Sequence, residues 1–224
     1  MKNKNIDNIF IYWIYFVSLI LISLYVMESF SLISIIFRDD ISYISSLIAI
    51  IFFFYLILGG YHLHKLRDAL YFLDSSKEIT KDNMFISIYN DFASSCTKKN
   101  NASQTSSIFL SNIQSIKDDF KAKMYEFVDN GFFIADILLK LGIVGTVIGF
   151  IIMLSSLSTI DEMNLSKMNN LLLSMSSGMK VALYTTLSGL IGSILLTIQN
   201  NFLENKINVF ISKVLSTEIN EKKN

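Results

Sequence analysis

Two short runs hold the residues best placed to do chemistry, LGIVGTVIGF at 141–150 and ALYTTLSGL at 182–190. Each sets threonine among glycines inside a stretch apolar enough to cross a bilayer. Residues three and four apart are neighbours on a helix, so Gly142, Gly145, Thr146 and Gly149 gather on one side. In the second run and its extension, Ala182, Thr186, Gly189, Ser193 and Thr197 recur at spacings of four, three, four and four. Thr146 and Thr186 fall well inside their apolar runs, where a hydroxyl can coordinate an ion or solvate a file of water. The alternative is packing, in which small residues let transmembrane helices approach closely and Thr or Ser bonds its own backbone. A glycine in a helix interior costs about 1 kcal/mol relative to alanine, so some close approach has to offset it.

Other chemistries find less support. His62 and His64, two apart on an expected helix, point to different faces, which argues against a shared metal site. Cys96 is the only cysteine and reads as a free, reduced thiol. With no nucleophile constellation, carboxylate pair or phosphate loop, the chain does not read as an enzyme, and no cofactor is expected. Net charge is zero and the basic residues are dispersed, which excludes a nucleic-acid footprint. A cation pathway through a membrane needs an ionisable group near its middle. Asp136 and Lys140 stand near one boundary and Lys180 near the other, and none of the four spans has a central Asp, Glu, His, Lys or Arg, so conduction would need a carboxylate from another subunit.

The elements that carry these runs are membrane spans. Hydrophobic residues make up 52% of the 224, charged residues 17%, and mean hydropathy is +0.48, which excludes disorder and a purely soluble domain. Spans are expected at Ile9 to Met27, Ile41 to Gly60, Leu138 to Leu157 and Val181 to Gln199, each near the roughly 20 residues that a bilayer core requires. The first exceeds a signal-peptide core and lacks a small-residue cleavage site before Glu28, so it reads as retained. With both termini inside, only Arg38, Lys167 and Lys180 of the 19 basic residues lie outside, as the positive-inside rule favours. Tyr12, Trp13, Tyr15 and Tyr61 fall at the inner interface.

Four segments follow: a first hairpin at 1–60, an inner helical segment at 61–130, a second hairpin at 131–199 turning around Ser158 to Ser177, and an inner C-terminal helix at 200–224. YHLHKLRDALYFLD continues span two, with Leu63, Leu66, Leu70 and Leu73 at helical spacing. MFISIYNDFA reads as a short helix and CTKKNNASQTSS as a polar loop. Ile113, Ile116, Phe120 and Phe127 form an apolar face on a helix leading into span three, and Leu203, Ile207, Phe210 and Val214 another beyond span four. The chain has no proline, so long, straight helices are expected. Spans one and two are bulky and read as lipid-facing, whereas three and four carry the small residues.

LGIVGTVIGF followed by ALYTTLSGL resembles the paired signature of the MotA/TolQ/ExbB proton-channel family, an LG-x-x-GT-x-x-G run and then an AL-x-x-T-x-x-GL run. The likeness covers roughly Leu141 to Gln199, and the four spans with a large inner segment resemble the MotA arrangement more than the three-span one. It implies an all-α polytopic protein of a bacterial inner membrane, forming a pentameric ring around two copies of a single-span MotB/ExbD/TolR-like partner that bears a membrane-embedded aspartate. It further implies a stator subunit of an ion-driven rotary motor or energy-transducing complex, moving H⁺ or Na⁺. Thr146 and Thr186 then match the pore-facing threonines, while Gly142, Gly145, Gly149, Ala182, Gly189 and Ser193 line or pack the pore, and the glycines lie close against a neighbouring chain. Where ExbB-like members carry a glutamate before the AL motif, this chain has Lys180 and Val181, and it lacks their proline after GL. Arg67 and Asp68 are charged candidates for torque in the inner segment. Two other readings compete: a self-contained transporter or channel, which calls for charged substrate contacts at midplane, and a non-conducting membrane scaffold, which should tolerate loss of both threonines.

Overall fold

The computed structural model describes residues 4–31, 34, 36, 40, 42–75, 83–100, 106–155 and 165–221. Five helices account for nearly all of them: α1 Lys4–Ser29, α2 Ile44–Ser75, α3 Met84–Asn100, α4 Ser106–Ser155 and α5 Leu165–Glu221. Four are long and apolar enough to cross a membrane, over Ile11–Ser29, Ile44–Leu73, Gln114–Ser155 and Leu171–Ser216. The described residues are helical apart from short turns, and with four candidate spans they have the make-up of an all-α polytopic membrane protein. Arg38, Ile41, Leu157 and 158–164 of the expected outer loops and span ends lie outside the described residues, as do the side chains of Cys96, Ile113 and Lys167.

The structure redraws two expected boundaries. Helix α5 begins at Leu165, so much of the expected turn around Ser158 to Ser177 is helical. Leu171 and Met175 are half-buried and Gly178 buried at spacings of four and three, which gives this first part of α5 an inward face of its own. Helix α3 continues to Asn100, taking in the start of the expected polar loop. Helix α2 starts at Ile44 behind a capping turn. Asp40, 3% exposed, accepts hydrogen bonds from the Ser42 and Ser45 backbone N–H groups at 3.0 and 2.8 Å and from the Ser42 hydroxyl at 2.6 Å. Its carboxylate thereby serves donors at the positive end of the helix.

The residues divide into two compact units. One comprises 15–57 and 132–198. Its core joins Ile20 of α1, Ile48, Phe52 and Leu56 of α2, Ala135 and Leu138 of α4 and Leu196 of α5. The spacing of four along α2 turns Ile48, Phe52 and Leu56 inward, while Ile50, Phe54 and Ile57 stay exposed at 59–67%. Span two thus has one exposed apolar face and one face that is a core element.

The other unit comprises 1–14, 58–131 and 199–224. Leu63, Leu66, Leu70, Phe120, Leu203, Ile207, Phe210 and Val214 are buried here, so the apolar stripes of α2, α4 and α5 face its interior. Ring pairs join α3 to α4, Phe92 with Phe120 at 4.6 Å and Phe85 with Phe127 at 5.7 Å between centroids. Tyr125 of α4 donates a hydrogen bond to Asn208 of α5. Glycines admit large side chains: a Cβ on Gly59 would collide with Gln199, on Gly60 with Trp13 and on Gly131 with Asn200. Gln199 and Asn200, 3% and 7% exposed, are thereby buried at the point where α5 enters this unit.

Asn83 fixes α3 to α2. Its Oδ1 accepts from the Phe85 N–H at 3.1 Å, capping α3, and its Nδ2 donates to the Lys65 carbonyl of α2 at 2.7 Å. Losing both should cost about 1–3 kcal/mol, a cap of about 1 plus a buried hydrogen bond of similar size. Asn83→Ala is therefore expected to lower Tm in thermal melts of the detergent-solubilised protein, whereas Ser95→Ala, on an exposed hydroxyl of the same helix, should leave it unchanged.

Candidate functional site

Within the unit comprising 15–57 and 132–198, α4 and α5 run antiparallel with their backbones in contact. A Cβ on Gly189 would stand 2.6 Å from the Leu138 carbonyl oxygen and 2.9 Å from the Gly142 Cα. One on Gly149 would lie 2.6 Å from the Ala182 nitrogen, and one on Gly178 2.7 Å from the Met153 nitrogen. Gly142 is nearly as tight, its missing Cβ 3.2 Å from the Thr185 carbonyl oxygen and 3.3 Å from the Thr186 Cα. Position 142 thus meets 186 and 189, 145 meets 185, and 149 meets 178 and 182. Only glycine permits such an approach, which offsets the propensity lost at each position through dispersion contacts. The expected neighbour in this contact was another chain; the structure puts the chain's own second helix there, because the small stripes of α4 and α5 face one another.

The threonines take three different positions. Thr186, half-buried, donates through Oγ1 toward the Ala182 carbonyl at 3.0 Å and lies 3.3 Å from the Gly142 carbonyl oxygen across the helix pair. Thr146, also half-buried, bonds the Ile143 carbonyl of its own helix. Thr185 is fully buried, bonds the Val181 and Ala182 carbonyls at 2.9 and 3.1 Å, and fills the space that a side chain on Gly145 would need. Gly142, Gly149, Ala182, Thr186 and Gly189 are therefore brought together, and Ser193, half-buried, accepts the Thr197 hydroxyl at its carbonyl at 2.8 Å. Sequence reasoning missed Thr185 and Gly178. Gly178 was legible as one more step of four before Ala182, whereas nothing local separates Thr185 from Thr186 until the partner helix is known.

A hydroxyl has one hydrogen to donate and two lone pairs. Thr146 and Thr186 spend the hydrogen on a carbonyl, which leaves their oxygens as acceptors, able to face a cation or a water but not to give up a proton. Between Leu141 and Ser155 of α4, and between Val181 and Ile198 of α5, no Asp, Glu, His, Lys or Arg occurs. Asp136 and Lys140 pair with each other on exposed α4 surface. In the other unit Asp68 meets both His64 and Arg67 at 3.3 Å, so the two torque candidates are bonded to one another, and His62 stacks on Phe127 at 5.0 Å. Among the described residues no group of three or more His, Cys, Asp or Glu could hold a metal ion.

Glycines in the α4–α5 contact should respond differently from one outside it. Gly149→Ala and Gly189→Ala set a methyl against backbone and are expected to destabilise by about 1–3 kcal/mol. At Gly192 the nearest atom to an added Cβ is Leu138 Cδ1 at 3.4 Å, so Gly192→Ala should be neutral or stabilising by up to about 1 kcal/mol. Melting temperatures of the three variants check this ordering.

A model of the MotA/TolQ/ExbB proton channel family matches residues 101–215, just over half of the 224. No curated protein and no solved structure matches the chain. The matched stretch contains both glycine- and threonine-bearing segments and the α4–α5 contact that they build. The chain belongs to the MotA/TolQ/ExbB proton channel family.

Proposed function

We propose that this chain is the channel-forming subunit of an ion-driven stator or energy-transducing complex in a bacterial inner membrane, with both termini cytoplasmic. Copies form a ring, five by the family resemblance, around a pair of single-span partners that each bring an aspartate into the membrane. The observation that carries the reading is the pairing of Thr146 and Thr186, acceptors inside two contacting spans, with spans that hold no central charge of their own. Such spans can line a path but cannot supply the group that binds and releases the ion, which therefore comes from another chain.

Each residue then has a role. The Thr146 and Thr186 oxygens accept from water or contact H₃O⁺ or Na⁺ as the ion reaches or leaves the partner's carboxylate. Gly142, Gly149, Ala182 and Gly189 hold α4 and α5 as one rigid wall, so that a hydroxyl from each span keeps its place. Ser193 and Thr197 extend the half-buried polar edge of α5. Ion flow past the partner's aspartate would turn the ring relative to the partner, with residues 61–130 passing the torque on.

Flux through the complex tests this. The chain, expressed with its neighbouring gene products and reconstituted in vesicles enclosing a pH- or Na⁺-sensitive dye, should lose about 10-fold or more of its flux on Thr146→Ala with Thr186→Ala, as expected from about 1.5–3 kcal/mol per hydrogen bond to a charged group. Serine at both positions should retain most of it. Thr185→Val, which keeps the packing against Gly145, should conduct nearly normally. Wild-type flux in the double alanine variant would instead assign the threonines to packing alone.

A further inference from the structure

In the unit that contains the α4–α5 contact, α1, α2 and α5 enclose a groove of about 320 Å³ that opens to one side. That volume is at the lower end of small-molecule sites, about 300–1,000 Å³. Its walls are hydrocarbon: Leu24 of α1, Ile48 and Phe52 of α2, Leu187 and Ile191 of α5, with Ser45 and Ser188 as the only polar side chains among the described residues that line it. Water does not suit such a space, since a buried water takes about 2–4 polar partners. Left empty, the lining forfeits dispersion contacts on one side.

Two features inside the groove are unexplained by the packing of the chain itself. Gly192 lies in its wall, yet an added Cβ there would make only ordinary contacts, the closest 3.4 Å from Leu138 Cδ1. Unlike Gly142, Gly149, Gly178 and Gly189, this glycine admits no backbone of its own chain, although it carries the same helix penalty. Glycine is also the residue found where something outside the chain approaches a helix closely. Ser45 is 2% exposed, lines the same groove near the start of α2, and its hydroxyl has no partner among the described residues.

We infer that this groove is a lipid site that takes one acyl chain of a membrane phospholipid, lying along Phe52, Leu187 and Gly192 with its more polar end toward Ser45. The occupant follows from shape and surroundings. The groove is walled by three of the four spans, so what reaches its open side is the hydrocarbon of the bilayer. A helix is about 10 Å across with its side chains, so a second copy of the chain can lie over the groove but not within it. An acyl chain is slender, apolar and flexible enough to fill it. The lipid would serve as packing between α1, α2 and α5, which makes the site independent of ion conduction.

The test uses the full chain in vesicles of palmitoyl-oleoyl phosphatidylcholine containing a small fraction of the same lipid with a photoactivatable diazirine midway along one acyl chain. After irradiation, adducts are located by peptide mass spectrometry. Adducts at Leu24, Ala49, Leu187 and Ile191, the groove residues with accessible surface, are expected in several-fold excess over Ile50, Phe54 and Ile57 on the exposed face of α2. Ala49→Phe and Gly192→Leu, which fill the groove, should bring that excess down to the exposed-face level with oligomer mass unchanged. Should either variant fail to assemble, Gly192→Ala, which adds a single methyl, should still reduce labelling at Leu187 and Ile191. Equal labelling of groove and exposed face in the unsubstituted protein would overturn the proposal, as would an excess that survives a folded, groove-filling variant. Groove residues that stay unlabelled while Ile50, Phe54 and Ile57 are labelled would likewise overturn it.

Discussion

Between Gly142 and Gly189 the backbones of two membrane helices lie closer than any side chain would allow, and the remaining geometry of the second hairpin depends on that approach. In water, the hydrophobic effect would press two apolar helices together whatever their sequence. In a bilayer that force is absent between apolar surfaces, and close packing has to hold them instead. Glycine at 142, 149, 178 and 189 and alanine at 182 allow backbone-to-backbone contact. Thr185 takes the room that Gly145 leaves. A wall of this kind is stiff, because neither helix can slide past the other without driving a Cα into a carbonyl.

Stiffness matters for what the hydroxyls can do. Thr186 is held by the Ala182 carbonyl and lies beside the Gly142 carbonyl of the facing helix. Its position is therefore set by the helix pair rather than by its own rotamer alone. Exposed apolar side chains on the outer faces of the same helices, such as Val147, Phe150, Leu183 and Leu190, leave large apolar surfaces on the single chain. Membership of a membrane channel family suits those surfaces to contact with lipid; on the proposed function, further copies and a partner's single span would cover part of them.

Much of the architecture was legible in the sequence because membrane helices and their extensions obey one strong rule each: length of apolar run for the spans, and a spacing of three and four for the stripes at Leu63, Leu66 and Leu70 and at Leu203, Ile207, Phe210 and Val214. The family was legible because glycine and threonine at fixed spacing inside apolar runs are rare enough to be recognised. What the sequence concealed were the identities of partners. Gly59, Gly60 and Gly131 look like loose ends of spans until Gln199, Trp13 and Asn200 are seen filling their places. Thr185 and Thr186 are neighbours with the same side chain, yet one is buried against Gly145 and the other reaches the Gly142 carbonyl, a difference of about 100° around a helix with 3.6 residues per turn. The extension of α5 back to Leu165 was hidden by a polar, serine- and asparagine-rich stretch that reads locally as a turn.

The most direct test of the central claim is the subunit count of the gently extracted complex, expressed with its neighbouring gene products and weighed by native mass spectrometry. Five copies of this chain, with two copies of a single-span protein carrying a membrane-embedded aspartate, is the expected result. A monomer, or an even-numbered assembly that persists across detergents and lipid nanodiscs, would contradict it and return the α4–α5 contact to the role of ordinary helix packing.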